Sequence, residues 1–422
     1  MTSRIQIQTP SGTLEGQAGQ GVQRFSAVPY AKPPVAGLRW EVPQATRWSG
    51  VLDATRPGPI APQVPSRLRR VMGDFFDPQS EDCLSLTVWT PAADKKKRPV
   101  VVWLHGGAWQ SGAGALDWYD GAHLAATGDV VVVSPNYRLA ALGWLSVPGQ
   151  PANLGLLDQE AAIDWVMDNI EAFGGDPDRV TVMGQSAGAT SIACMLARKP
   201  RFSRAIIQSA GLGRVFRTAA EGEAMAVAVL EAAGVSGVEA ARKLPVQALL
   251  DAQSSQQVAD CLAAEGAGRS IFSPVLDGQV LPLDIDAAFK LAAGRADVII
   301  GATRNEMAAF AGFGVDERSD EVGRQVFGNA SLAWAAQAGS LGRKAWAYRF
   351  DYGPTAEFGA CHCIELPFVF GTRASFAGAP MLAGASEEDT SRLCGEIQQA
   401  WLDFVRGGSP AWAPGPQAHI FN

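Results

Sequence analysis

Short apolar runs rich in β-branched residues alternate along this chain with stretches of helical spacing. Pro99–Leu104 (PVVVWL) and Asp129–Ser134 (DVVVVS) lack the period-two alternation of half-exposed strands, so both read as strands buried on two faces. Leu116–Thr127 carries a helical piece between them. Leu157–Ala172 follows as an amphipathic helix, with Leu157, Ala161, Ile163, Trp165, Val166 and Ile170 on its apolar side. Further strands are predicted at Arg179–Met183, Arg204–Gln208, Asp297–Gly301 and Ala345–Phe350, and helices at Ala187–Arg198 and Ser386–Arg406. Apolar strands alternating with helices imply an α/β fold, a mostly parallel sheet covered on both faces. The Ala-, Leu- and Glu-rich stretch Ala219–Gln257 reads as an inserted helical cap, spanning about 215–265, within one domain over 1–422. On such sheets ligands bind beyond the carboxyl ends of the strands.

Composition narrows the function classes. At 422 residues and 47% hydrophobic the chain can bury a large core, and its 18% charged content lies below the roughly 25% usual for globular domains. The net charge of −7 argues against a nucleic-acid partner. The compact basic runs, Arg67–Arg70 and Lys95–Arg98, read as solvated loop or helix surface. No apolar run is long enough to span a bilayer, and the N-terminus has no apolar signal core, so a cytoplasmic protein is expected. Six cysteines in a chain this long are too sparse for a disulfide framework and read as free thiols.

The chemistry is concentrated at Arg179–Ala189 (RVTVMGQSAGA). A strand runs into Gly184-Gln185-Ser186-Ala187-Gly188 and a helix starts at once, the strand–turn–helix context of a GxSxG elbow. Such a turn lifts the Ser186 hydroxyl above the sheet and puts the next amide at a helix N-terminus, where it can stabilise an oxyanion. A second Gly-rich loop, His105-Gly106-Gly107-Ala108-Trp109, follows the strand at 99–104 and can aim backbone N–H groups at the same place; His105 inside it reads as a structural hydrogen-bonding residue.

A serine nucleophile needs a base and an orienting acid, which on this fold type follow it in the order acid, then histidine. Of the four histidines, His105, His123, His362 and His419, the last two lie after Ser186, and His419 is four residues from the end of the chain; His362 is the expected base. Glu306, in the loop after the strand at 297–301, is the best-placed acid, with Asp277 in a turn-like LDGQ segment as competitor. Cys361-His362-Cys363 does not supply a zinc site, because three consecutive side chains do not converge on one tetrahedral ion. Trp109, Trp118 and Trp144 are candidates for an apolar pocket, with core packing the ordinary reading for the last two.

Across nearly its whole length the sequence resembles the type B carboxylesterase family, which includes cholinesterases and bacterial para-nitrobenzyl esterases. The matching segments are Phe25–Trp40, Ser80–Trp89, His105–Gly112, Asn136–Gly143, Asn153–Ala189 (with NLGLLDQ, FGGDPDRVTV and GQSAGA), Gly301–Glu306 and His362–Gly371. The resemblance implies an α/β-hydrolase fold and a cofactor-free ester hydrolase with Ser186, His362 and Glu306 as triad. It further implies Gly107, Ala108 and Ala187 as oxyanion amides, and fold-holding ion pairs Arg39–Glu81 and Arg138–Asp158. The expected substrate is a small uncharged carboxylic ester, with an amide or carbamate as the alternative, acted on by a monomer or homodimer. Three departures matter. Gln185 stands where the family usually has Glu, Cys83 has no upstream cysteine to pair with, and the 306–362 segment and C-terminus are short. The last predicts a reduced helical wall and a more open pocket.

Overall fold

The computed structural model describes residues 3–198, 200–266 and 268–422. Its strands are β1 (Ser3–Thr9), β2 (Gly12–Gly19), β3 (Val22–Pro29), β4 (Val51–Asp53), β5 (Ser85–Thr90), β6 (Arg98–Leu104) and β7 (Val131–Pro135). They continue with β8 (Gly175–Gln185), β9 (Arg204–Gln208), β10 (Arg217–Thr218), β11 (Val275–Leu276), β12 (Asp297–Thr303), β13 (Ala345–Phe350) and β14 (Gly415–Phe421). Among the described residues twelve of these form one sheet in the order β1-β2-β3-β5-β7-β6-β8-β9-β12-β13-β14, with β4 beside β2. From β7 to β14 every pairing is parallel; β5, β3, β2 and β1 extend the sheet antiparallel. This is the α/β-hydrolase fold.

The uniformly apolar central strands are explained by their two faces. In β6, Val100, Val102 and Leu104 enter one buried cluster while Val101 and Trp103 enter another on the opposite side. Matched register carries each layer across the sheet: Val101 lies beside Val132 and Thr181, and Met183 beside Ile206.

Several boundaries differ from the periodicity reading. The stretch 116–127 holds a 3₁₀ turn, Asp117–Tyr119, and then a helix, Ala122–Gly128, because the Asp120 carboxylate accepts the Ala122 N–H (2.8 Å) and resets the chain between them. The helix expected at 157–172 starts earlier, as Leu154–Asn169, and its polar residues Asp158, Gln159 and Asn169 are buried with the apolar ones. Helices occupy Ala219–Ala232, Val238–Ala241, Val246–Ala252 and Gln256–Ala264.

The ion pairs knit distant segments. Arg138 grips Asp158 through Nε (2.7 Å) and Nη2 (2.6 Å), with side chains 2% and 0% exposed. Arg39 pairs with Glu81 and also donates to the carbonyls of Ala241 and Leu244, tying the 238–244 segment to the N-terminal region. All six cysteines are free thiols. Among the described residues no helix is long and apolar enough to cross a membrane. The Lys95–Arg98 run is not wholly solvated: Arg98 is buried, held by Asp94 and Asp129.

Candidate active site

Strand β8 ends at Gln185, and the helix Ala187–Ala197 begins one residue after Ser186. Ser186 therefore sits in the turn itself, with φ 55° and ψ −118°, a conformation a non-glycine residue holds only when its surroundings impose it. Gly188 lets the new helix hug the sheet: a Cβ there would lie 2.0 Å from the Leu104 carbonyl oxygen. The loop after β6 is equally constrained. Gly107 has φ 113° and a Cβ on it would meet the Ser111 carbonyl at 1.9 Å, while Ala108 and Trp109 also have positive φ. Gly107, Ala108, Ala187, Ser186 and His362 line one cleft.

The His362 ring is completely buried, between Phe310 (ring centroids 5.4 Å apart) and Phe327 (5.0 Å). Its Nδ1 is hydrogen-bonded to Glu306 Oε2. The other Glu306 oxygen accepts from Ser209 Oγ (2.6 Å) and from the Thr303 amide (2.8 Å). Asn305 fastens the two loops: its amide donates to Ala360 O (2.9 Å) and its Oδ1 accepts from Ala360 N (3.0 Å). At the far side of the ring, His362 Nε2 lies 3.2 Å from Gln185 Nε2. An amide nitrogen can only donate, so this arrangement makes Nε2 an acceptor and puts the ring proton on Nδ1, facing Glu306. That is the tautomer a general base toward Ser186 requires.

Asp277 plays another part: its Oδ1 accepts the amides of Gln279 (3.1 Å), Val280 (2.8 Å) and Leu281 (2.8 Å), closing a turn. His105 is a buried scaffold residue. Its Nδ1 bonds Gly106 O (2.7 Å), its ring stacks on Tyr137 (4.3 Å), and desolvation holds its pKa down at about 4. His123 pairs with Gln398, and His419 stacks on Trp412. Of the tryptophans, Trp109 lines the cleft; Trp118 packs on Phe376, and Trp144 donates to Arg138 O. The thiols of Cys361 and Cys363, flanking His362, are pushed well up by burial and stay protonated.

Four residues were not singled out from the sequence. Ser209 follows β9 directly and reaches Glu306 because β9 and β12 are paired neighbours. Glu365 is buried below His362. Its Oε1 accepts from Gln208 Nε2 (3.2 Å), its Oε2 has no partner among the described residues, and burial, then repulsion from Glu306, pushes its pKa up to about 7. Arg67, exposed as expected for the basic run 67–70, and Arg214, half-buried, both line the cleft. Only Ser209 had a local signal, a hydroxyl residue at a strand's carboxyl end.

Known proteins resemble this chain over most of their length. The sequence pattern of the carboxylesterase family matches residues 3–332. A probable N-octanoylanthranilate hydrolase of Rhodococcus erythropolis is 40% identical, covering 96% of this chain and 94% of its own. The para-nitrobenzyl esterase of Bacillus subtilis is 36% identical, covering 97% and 91%. A solved PNB esterase superposes with a TM-score of 0.88 at 31% identity, covering 100% of this chain and 96% of that one.

Proposed function

The chain belongs to the carboxylesterase family and is a serine carboxylesterase, a hydrolase of small-molecule carboxylic esters; from that premise we propose that Ser186 is its nucleophile, His362 its general base and Glu306 the acid that orients His362. The observation that carries the assignment is the buried Glu306–His362 hydrogen bond opening onto the same cleft as a strained Ser186. As substrate enters, Ser186 Oγ replaces the Gln185 amide on His362 Nε2, since that nitrogen has one lone pair to offer. Ser186 Oγ attacks the ester carbonyl as its proton passes to Nε2. The amides of Gly107, Ala108 and Ala187 receive the oxyanion, an interaction worth roughly a hundredfold or more in rate per donor. Collapse of the tetrahedral species expels the alcohol, which takes the proton from His362, and water repeats the sequence on the acyl-enzyme. Glu306 stabilises the imidazolium formed in each half. No cofactor enters the cycle.

The apolar part of the cleft, lined by Val64, Leu68, Trp109, Phe216, Phe310 and Phe327, suits the uncharged hydrocarbon of an ester. The segment 215–265 acts as a helical cap in this reading, and the free thiols suit a cytoplasmic enzyme, monomeric or dimeric. A second reading, cleavage of an N-acyl bond by the same triad, is favoured by the relative named for N-octanoylanthranilate. One experiment tests the assignment. An organophosphate should label Ser186, located by mass spectrometry, and Ser186→Ala should reduce ester hydrolysis to background; label on another serine with full inactivation overturns it. Matched esters and anilides decide between the two readings.

A further inference from the structure

The cleft contains charge of one sign only. Among the described residues lining it are Arg67, Arg214 and Arg269, and no Asp or Glu. Arg269 is accounted for: it pairs with Glu221 (3.3 Å) and donates to Phe216 O (3.1 Å). The other two are not. Arg214 donates to one carbonyl, Gly268 O (3.2 Å), and its stem folds over Gly211. Its guanidinium lies 5.8 Å from the Phe327 ring, the same ring that packs 5.0 Å from His362. Arg67 makes no ion pair among the described residues. Among the described residues the fully buried arginines, Arg39, Arg98, Arg138 and Arg217, each pair with a carboxylate.

Two guanidinium groups facing one cleft without a counter-ion is an unfavourable arrangement for a folded protein. Arg214, half-buried, is held below the ordinary guanidinium range by desolvation and then by the charge of Arg67, which is itself exposed. The chain as a whole is acidic, at −7, so a general basic surface does not explain them. Each guanidinium presents a planar fork of N–H donors that matches a carboxylate. A ligand bringing one negative charge between them would relieve their mutual repulsion and fill their unused donors.

We propose that Arg67 and Arg214 form a carboxylate-recognition subsite, so that among the esters this enzyme accepts, those carrying a carboxylate on the acyl or alcohol arm are preferred. The inference rests on the Ser186-centred reading of the cleft. The apolar walls beside the arginines call for a hydrocarbon linker between the ester and the acid. The same two charges disfavour cationic esters, independently of Gln185.

The test uses two matched pairs on the full-length enzyme at low salt. For the acyl arm these are para-nitrophenyl hydrogen adipate and its methyl ester; for the alcohol arm, 4-acetoxybenzoate and methyl 4-acetoxybenzoate. The quantity read is the ratio of kcat/KM for the acid over its methyl ester, compared between wild type and Arg67→Met/Arg214→Met. Intrinsic reactivity and any general loss cancel in that comparison. The expected result is a fall in the ratio of about tenfold for at least one pair, tenfold being 1.4 kcal/mol. A fall of less than about fivefold in both pairs overturns the proposal. If the double variant does not fold, Arg67→Met at an exposed residue gives the same reading, with about threefold as the threshold. Hydrolysis of all four esters without such a change removes the subsite alone. No hydrolysis of any of them, with Ser186 unlabelled, removes the reading on which it rests.

Discussion

Glu365→Gln should stabilise this enzyme at alkaline pH and not at acid pH. Glu365 is 1% exposed and faces Glu306, His362, Cys361, Cys363, Tyr119 and Tyr348, none of which supplies a permanent positive charge. Burial first and Glu306 second raise its pKa from the ordinary 4.5 to about 7, with His362 acting in the opposite direction. The folded protein therefore binds this proton more tightly than the unfolded chain does. The resulting stabilisation is complete below about pH 4.5, is lost as pH rises toward 7, and is absent above that. At 1.36 kcal/mol per pH unit the loss is on the order of 3 kcal/mol. Glutamine keeps an acceptor for Gln208 and removes the titration. For 422 residues an unfolding entropy of roughly 0.9 kcal/mol/K converts 3 kcal/mol into about 3 °C. Thermal or urea unfolding of both proteins at pH 5 and pH 8 tests this, read as the change in their difference between the two pH values. Any fixed cost of the new amide cancels in that difference. A difference independent of pH, or one that favours wild type more at pH 8, would refute the reasoning.

Glu306→Gln should lower kcat by two orders of magnitude or more with little change in KM, since it loses the imidazolium partner and the tautomer control together; Asp277→Asn, altered in a distant turn, should leave steady-state kinetics near wild type. Ser209→Ala removes a 2.6 Å hydrogen bond to the Glu306 carboxylate, and a bond to a charged group is worth about 1.5–3 kcal/mol, so kcat should fall at least about tenfold while KM stays. Asp158→Asn leaves the buried Arg138 guanidinium without its counter-charge and should cost about 3–5 kcal/mol in urea unfolding, more than changing both partners to apolar residues.

The parallel half of the sheet was legible because strands buried on two faces must be apolar throughout, and PVVVWL and DVVVVS fit nothing else as well. The two edges of the sheet were not. Strand β1 (SRIQIQT) buries little, with Ile5 and Ile7 only half-buried, and β14 (GPQAHIF) is mostly exposed, so neither stands out from loop sequence. Helix starts were misjudged where one side chain resets the chain. Asp120 delays one helix, and Asn153 in a left-handed conformation starts another earlier than its apolar spacing suggests.

The proposed triad could be named from the sequence for a chemical reason: histidine is scarce here, chain order restricts the choice, and each member sits just past the carboxyl end of a strand or in the loop that returns to it. What surrounds the triad comes from segments that meet only in the folded chain. Ser209 reaches Glu306 across 97 residues, and Gln208, one residue earlier, holds Glu365 across 157. Gln185 illustrates the difference between reading a residue and seeing its contact. In the sequence it registers as a missing negative charge; in the structure its amide nitrogen lies against His362 Nε2, the atom Ser186 uses in the proposed mechanism. In the proposed mechanism the amide therefore competes with the nucleophile for that lone pair, and substrate entry breaks the contact before Ser186 reacts.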